Sequence, residues 1–157
     1  MQKAHKGTLQ PFDASNYRVG IVVAQFNADI TEKLLASALV GAKQFKVLKK
    51  NIAVHRVAGS IEIPAVLKAM AETGKFDALV ALGAIIRGET DHYEYVAKIV
   101  TEGVLEVMID DEPISVGFGI LTCNNVAQAK ARVESGAGAI SAALHSARAI
   151  KSIRNGR

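Results

Sequence analysis

Apolar runs and amphipathic stretches alternate along most of the chain. The short runs are rich in β-branched residues and end at polar turns, which is typical of buried strands. The longer stretches repeat apolar residues every three or four positions, as on one face of an α-helix. The predicted strands span residues 18–24, 52–58, 77–86 and 114–121. The predicted helices lie within residues 29–50, 60–74, 92–109, 126–134 and 139–153, the last two separated by a break at ESGAGA.

Strands that are apolar throughout and alternate with helices predict a parallel sheet covered by helices on both faces. The expected fold is therefore α/β, a three-layer αβα sandwich that is flavodoxin-like and has a four-stranded parallel sheet. Asp29 or Thr31 is expected to cap the first helix. Residues 1–16 carry no periodicity and are interpreted as an N-terminal arm, whereas residues 17–157 are predicted to form a single domain.

Composition and charge narrow the class of protein. The 157 residues are 50% hydrophobic and 22% charged, which suits one domain with a core and argues against disorder. The net charge of +4 comes without an aromatic-interleaved basic stripe, so we interpret it as favouring small anions over nucleic acid. No signal-peptide-like or bilayer-spanning apolar run is present. The single cysteine, Cys123, is expected to be a half-buried small hydrophobe, and its being alone fits a reducing, cytoplasmic location.

The segment RGETDH follows the third predicted strand, at the sheet edge where such folds bind ligands. Gly88 permits a tight turn, and Thr90 or Asp91 can cap the next helix. The free N–H groups there favour an anion such as phosphate, and Glu89 is compatible with one only if its side chain turns away. His92, in the first helical turn, can exchange a proton near neutral pH. Taken alone, the segment fits a plain helix start with a surface histidine equally well.

The ends of the first and second strands carry weaker signals. Phe26 can stack on a planar ligand, although ordinary core packing is the commoner role of such a residue. Asn27 is interpreted as a turn residue. Ser60 and Glu62 flank a glycine turn and could accept or donate hydrogen bonds to a polyhydroxyl or a heterocycle. Glu62 alone is better explained as a carboxylate that meets the dipole at a helix start.

The remaining histidines show no metal-binding pattern. His55 is expected to be a core or interface residue in its strand, and His5 and His145 are expected in the tail and on a helix surface. No two His, Cys or acidic residues fall at metal-ligand spacing, so no metal is predicted. No glycine-rich nucleotide-binding motif is present either.

Together these segments resemble the lumazine synthase family of riboflavin biosynthesis. FN, GSIEIP, GAIIRGETDHYEYV and FGILT…QAKAR occur in the family's order and spacing over nearly the whole chain, from about Tyr17 to the last helix. The resemblance implies a flavodoxin-like fold, a homopentamer with active sites between neighbouring subunits, and no cofactor. It also implies condensation of 5-amino-6-(D-ribitylamino)uracil with 3,4-dihydroxy-2-butanone 4-phosphate, with release of phosphate and water.

The same resemblance assigns roles to individual residues. His92 matches the catalytic proton-transfer histidine, and Phe26 matches the residue that stacks on the pyrimidine. Phe118 and Arg132 match residues given by the adjacent subunit, with Arg132 holding the phosphate. The pyrimidine and ribityl site would further include Ser60, Ile61, Glu62, Ala84, Ile85 and Ile86, and the phosphate site would include Glu89 and Thr90.

The chain departs from the family pattern after Arg132. Family members often carry an N-K-G element there whose lysine helps to hold phosphate, whereas this chain reads ARVESGAGAISAAL. The same region often shapes contacts between pentamers in shells, so its sequence here favours a free pentamer.

Four other classes of protein are alternatives to this interpretation. QFNADIT lacks both the phosphate loop of a flavin electron carrier and the paired acids of a response regulator. An archaeal riboflavin synthase would lack the R-G-x-T-x-H turn. A homologue that has lost catalysis and serves as a lumazine- or flavin-binding or scaffold protein stays open, because of the missing lysine.

Overall fold

Four strands and five helices make up the part of the chain that the computed structural model describes, which is residue 7, residues 9–110 and residues 112–156. The strands are β1 (Val19–Ala24), β2 (Ile52–Val57), β3 (Ala78–Ile86) and β4 (Ser115–Cys123). The helices are α1 (Ala28–Gln44), α2 (Ile63–Glu72), α3 (His92–Ile109), α4 (Val126–Lys130) and α5 (Ser135–Arg154). Short 3₁₀ turns at Lys49–Asn51 and Ser60–Glu62 flank β2. No helix in these described ranges is both long and apolar enough to cross a membrane.

The four strands form one parallel sheet in the order β2-β1-β3-β4. Val19 at the start of β1 pairs with Ile52 on one side and with Ala78 on the other. Helices α1, α4 and α5 cover one face of the sheet, and α2 and α3 cover the other. This arrangement confirms the predicted α/β three-layer sandwich with a four-stranded parallel sheet.

Strand β1 shows why these runs are apolar throughout. Its odd-numbered residues, such as Ile21, pack into the core beneath α1 and α5. Its even-numbered residues, such as Val22, pack into the core beneath α2 and α3. Because successive side chains of a strand point to opposite faces, a strand covered on both faces needs apolar residues at every position.

Helix α1 differs from its prediction at both ends. It begins after Asn27, so Asp29 lies inside the first turn and Thr31 is buried, and neither is its cap. It ends at Gln44, and Lys46 takes a left-handed backbone conformation with φ 59°. The chain turns there because Phe45 enters the core, where it is almost fully buried.

The predicted break at ESGAGA is wrong, because α5 begins at Ser135 and runs through Gly136 and Gly138. A side chain at Gly136 would collide with the carbonyl oxygen of Leu34 on α1. The glycine therefore permits two helices to approach closely rather than ending one of them. Helix α4 also stops earlier than predicted, at Lys130.

The described part of the N-terminal segment packs on the same chain. The ring of Phe12 lies edge-on to Tyr17, Phe45 and His145, at centroid distances of 5.3–5.7 Å. Ala14 is buried, and its N–H donates to the Phe45 carbonyl. His145 is thus half-buried in an aromatic cluster, which corrects its predicted position on the helix surface. Residues 1–6 and 8, including His5, lie outside the described residues, and the division at residue 16 remains a prediction.

Two other predictions concern single residues. Cys123 is buried at the end of β4, so it is a small core residue as predicted and is more deeply covered than expected. His55 lies on β2 and is exposed, so the prediction of a core histidine is wrong within this chain. The edge position of β2 explains the exposure, because no further described strand pairs with it.

Candidate functional site

A cavity of about 460 Å³ opens at the carboxyl ends of β1, β2 and β3. The strand order reverses between β1 and β3, because the chain passes outward to β2 before it returns to β3. At such a reversal the following helices leave on opposite faces of the sheet, and a crevice opens between them. The cavity therefore lies at the strand ends that carry the predicted site residues.

Phe26 forms one wall at the end of β1. Its side chain is 71% exposed and lines the cavity. Two backbone hydrogen bonds tie this segment to the end of β2, from Gln25 N to Val57 O at 2.8 Å and from Phe26 N to Ala58 O at 2.9 Å. An exposed ring on a fixed backbone is available to stack on a planar molecule, so this residue is not used for core packing.

The turn after β2 supplies polar groups to the cavity floor. One carboxylate oxygen of Glu62 accepts a hydrogen bond from Gly59 N at 2.8 Å, which fixes the turn. Ser60 is only 7% exposed, yet it lines the cavity. Its hydroxyl makes no hydrogen bond to any described residue, so it can donate to or accept from a molecule in the cavity. Ile61 lines the cavity beside it.

The end of β3 and the turn that follows form the opposite wall. Ala84, Ile85 and Ile86 line the cavity, and so do Thr90 and His92 after the turn. His92 is the first residue of α3, and its N–H lies 3.4 Å from the Thr90 hydroxyl. Helix α3 thus begins at the cavity without a capping bond from the Asp91 side chain, and the positive end of its dipole and the Thr90 hydroxyl together favour an anion. Glu89 is exposed and is not among the residues that line the cavity.

Arg87 fastens this turn from both sides. Its backbone N–H donates to the Cys123 carbonyl at 2.9 Å, and its guanidinium contacts the Glu94 carboxylate at 2.5 Å. The same guanidinium lies 4.5 Å from the centroid of the Tyr93 ring. The hydrogen bond to Glu94 raises the pKa of Arg87 above its usual value, so the guanidinium stays charged. The turn that carries Thr90 and His92 is therefore anchored to both β4 and α3.

Several cavity residues were not predicted from the sequence. Tyr93 and Val96 on α3 line the cavity, as do Ala58 and two glycines, Gly59 and Gly88, which the sequence indicated only as turn residues. Val96 follows His92 by four positions and so lies on the same face of the helix. That spacing could have identified Val96 once His92 was assigned. Tyr93 carried no such signal, because its position depends on the direction in which α3 leaves the turn.

Phe118 and Arg132 do not line the cavity of their own chain. Phe118 lies on β4, the outer strand next to β3, and is 44% exposed. Arg132 follows α4, is exposed, and donates from Nη1 to the Gln128 carbonyl at 2.8 Å. The structure therefore brings nine of the assigned residues together around one cavity and leaves Phe118, Arg132 and Glu89 outside its lining.

The cavity offers hydrogen-bonding and proton-transfer groups rather than metal ligands. Among the residues with described positions, no group of three or more His, Cys, Asp or Glu side chains could hold a metal ion. The wall residues combine two aromatic rings, an imidazole, a carboxylate, three hydroxyls and the backbone of three strand ends. Such a set can bind a planar polar ring and an anion side by side and can move a proton between them.

A comparison with known protein families agrees with this geometry. Residues 16–151 match the family model described as 6,7-dimethyl-8-ribityllumazine synthase. The match begins just before β1, covers every residue that lines the cavity, and extends through Phe118 and Arg132 into α5. This chain belongs to the 6,7-dimethyl-8-ribityllumazine synthase family.

Proposed function

We propose that the protein is a transferase that condenses 5-amino-6-(D-ribitylamino)uracil with 3,4-dihydroxy-2-butanone 4-phosphate. The products are 6,7-dimethyl-8-ribityllumazine, phosphate and water, in the penultimate step of riboflavin biosynthesis. One observation carries the proposal: nine residues assigned to substrate binding or catalysis from the sequence line a single cavity at the switch point of the sheet. Family membership supports the same activity.

The pyrimidine and its ribityl chain would occupy the side of the cavity bounded by β1 and β2. The exposed ring of Phe26 would stack on the pyrimidine, and the backbone of Ala84, Ile85 and Ile86 would meet its polar edge. The free hydroxyl of Ser60 and the remaining acceptor capacity of Glu62 suit the hydroxyls of the ribityl chain. Ile61 would add an apolar contact at the same turn.

The phosphate would bind at the start of α3. The backbone N–H groups around Glu89 and the hydroxyl of Thr90 suit the phosphate oxygens, and the exposed side chain of Glu89 avoids repelling them. Arg132 of an adjacent subunit would complete the site, because a planar guanidinium can bind two phosphate oxygens at once. With no lysine in the segment after Arg132, this arginine and the turn would carry most of the phosphate binding.

The reaction requires orientation and proton transfer more than a strong nucleophile. An amine of the pyrimidine attacks the ketone carbon and water leaves as a C=N bond forms, phosphate is eliminated, and the second amine closes the new ring with loss of another water. Holding two reactants in place can lower a barrier by up to about 7–11 kcal/mol. His92 would move protons near the carbonyl and the leaving group, a role that contributes roughly 10²–10⁴-fold in rate. No cofactor enters this scheme.

The proposed assembly is a cytoplasmic homopentamer with active sites between neighbouring subunits. Phe118 and Arg132 support it, because both are exposed and lie outside the cavity of their own chain. In a closed ring each subunit would receive these two residues from one neighbour and give its own to the other. The partners are small-molecule substrates and copies of the same chain, without nucleic acid or membrane.

A steady-state assay tests the proposal. Purified protein is mixed with both substrates, and lumazine absorbance is followed against the uncatalysed background. We expect acceleration that falls about 10²–10⁴-fold in His92→Ala without vanishing. His55→Ala is the control, because it removes an exposed histidine that does not line the cavity. Full activity in His92→Ala would contradict the role given to that residue.

A second candidate function is binding of a lumazine or a flavin without turnover. The observation that favours it is the absence of lysine from residues 133–149 after Arg132. The exposed Phe26 ring and the apolar walls would still hold a planar ligand. Folded protein that binds a lumazine but shows no acceleration would establish this binding or scaffold role in place of catalysis.

A further inference from the structure

Asn27 has an unusual backbone conformation directly after the cavity residue Phe26. Its φ of 60° and ψ of 44° lie in the left-handed region, which among non-glycine residues asparagine tolerates best. Its carbonyl oxygen accepts from Ile30 N at 2.9 Å and Thr31 N at 3.0 Å, so α1 starts from this residue. The chain therefore changes direction sharply at the point where Phe26 is presented.

The side chain of Asn27 is used in an unexpected way. Asparagine at the start of a helix usually accepts a hydrogen bond from the first turn, but Asn27 makes no such capping bond to α1. Its Nδ2 donates instead to the carbonyl oxygen of Ala84 on β3, at 2.9 Å. The helix thus begins without a stabilising cap, and the amide links two strand ends that both border the cavity.

This link completes the attachment of the Phe26 segment. On one side, Phe26 N donates to Ala58 at the end of β2. On the other side, the side chain of Asn27, the residue after Phe26, bonds to β3 across the switch point. The Phe26 ring itself is 71% exposed, so its position depends on this backbone.

We propose that Asn27 is a positioning residue, which holds the Phe26 ring and the Ala84 backbone in the places where the pyrimidine substrate meets them. This inference rests on the proposed function. Asn27 does not touch the reacting atoms in this scheme, so it acts on binding of one substrate rather than on proton transfer. Loss of its amide should therefore raise KM for the pyrimidine and leave KM for the phosphate substrate unchanged.

Asn27→Asp separates this role from a merely structural one. Aspartate has the same size but cannot donate to the Ala84 carbonyl, and it is a good helix cap. We expect KM for the pyrimidine to rise about three- to tenfold, the effect of one lost hydrogen bond, while the thermal midpoint stays equal or rises. Asn27→Gly keeps the left-handed backbone and removes the amide, so it should raise the same KM.

Asn51→Asp is the matched control. Asn51 makes the same kind of bond, from Nδ2 to the Ser15 carbonyl at 3.0 Å. It lies just before β2, at the amino ends of the strands and away from the cavity. That variant should leave both KM values unchanged. In a Phe26→Ala background, Asn27→Asp should have a smaller effect than in the wild type, because only the Ala84 backbone is then left for Asn27 to position.

Defined outcomes overturn the inference. They are an unchanged pyrimidine KM in both Asn27 variants, an equal rise in KM for both substrates, or a full additional rise in the Phe26→Ala background. If the wild type binds but does not turn over, the same variants are compared by the Kd for riboflavin, measured from its fluorescence. Equal Kd values in the wild type and both variants would then refute the role of Asn27, whereas failure of the proposed function would show as absence of turnover in the wild type.

Discussion

The position of the Ser60 hydroxyl depends on the lack of a side chain at Gly83. An added Cβ at Gly83 would lie 2.5 Å from Ser60 Oγ and 3.1 Å from Ile120 Cδ1. Both distances are too short for normal contact, and the strand position leaves the backbone little room to move. The absence of a side chain at Gly83 therefore leaves room for the Ser60 hydroxyl at the cavity floor.

Gly83→Ala should displace Ser60 and weaken binding of the pyrimidine substrate. We expect KM for that substrate to rise about tenfold, because the hydroxyl would lose a hydrogen bond and the floor would shift. The measurement is steady-state kinetics with each substrate varied in turn. Ser60→Ala should give a similar rise, and combining the two changes should add little. A Gly83→Ala protein with wild-type KM values would show that the floor adapts without moving the hydroxyl.

Arg132→Ala should weaken binding of the phosphate substrate. Removing a charge-assisted hydrogen-bonding group costs about 1.5–3 kcal/mol, or roughly 10–100-fold in KM for that substrate. Arg132→Lys should have a KM for the phosphate substrate between those of the wild type and Arg132→Ala, because lysine keeps the charge and loses the planar guanidinium. Arg154→Ala is the control, since Arg154 is also exposed and also donates to a backbone carbonyl, that of Pro113 at 2.9 Å. A larger change in pyrimidine KM than in phosphate KM would contradict the assignment.

At the scale of single residues, the sequence indicated most of the residues that line the cavity. Parallel strands all end at one edge, so polar turns after several strands must meet there. The contacts of Tyr93 and the amide bond of Asn27 to Ala84 could not be inferred in that way. Both depend on the angle at which a helix leaves the sheet, and that angle is decided by packing between distant residues.

Helices α1 and α5 touch at Gly136, and this contact can be tested as a unit. Gly136→Ala should lower the free energy of unfolding by about 1–3 kcal/mol, because the methyl group would press on the Leu34 carbonyl. Gly138→Ala in the same helix is the control. No atom lies within 4 Å of a Cβ there, so that change should raise stability by about 0.5–1 kcal/mol. Chemical denaturation of both variants measures the difference, and loss of equal size in both would refute the close contact.

The aromatic cluster around His145 should make the stability of the protein depend on pH. Burial, and then the nearby positive charge of Arg148, lower the pKa of His145 below its usual value. Below about pH 6.5 the unfolded chain therefore takes up this proton more readily than the folded chain. Stability should fall as the pH decreases from about 6.5 through the lowered pKa of His145, and this loss should be absent above that range.

His145→Phe tests the origin of that pH dependence. Phenylalanine can fill the same cluster beside Phe12 and Phe45 without a titrating group. Thermal midpoints between pH 5 and pH 8 should therefore change less in the variant than in the wild type. The carboxylates whose pKa values are lowered by their partners, Asp13 and Glu32, titrate below this window. An unchanged slope in His145→Phe would assign the effect to another group.

At the scale of elements, the existence and type of the helices and strands were predictable, and their ends were less so. Helix α3 and the strands matched closely because their apolar patterns are long and uninterrupted. The start of α5 was missed because ESGAGA contains the residues of a chain break. Gly136 permits the contact with Leu34, a residue about a hundred positions earlier in the chain, and local sequence carries no signal of that contact.

At the scale of the whole molecule, Arg132 lies outside the cavity of its own chain. This position permits a test of whether the active sites lie between subunits. His92→Ala and Arg132→Ala damage opposite sides of the proposed shared site. Subunits of the two variants are mixed in equal amounts while unfolded, refolded together and assayed with the phosphate substrate well below its KM. They should regain about a quarter of wild-type activity, because a quarter of neighbouring pairs hold one intact copy of each residue. Light scattering should give the mass of a pentamer. Activity in the mixture no higher than the average of the two variants would contradict sites between subunits.

The parallel order of the strands also has a consequence for the time course of folding. No two neighbouring strands are joined by a hairpin. The central pairing of β1 with β3 brings Val19 next to Ala78 across a stretch of chain that contains α1, β2 and α2. Closing so long a stretch of chain is slow and entropically costly. The cavity lies across that pairing, so it forms only when the central strands meet. A ligand of the cavity therefore binds only the folded state of the sheet, and it should delay the separation of β1 from β3 when the protein unfolds.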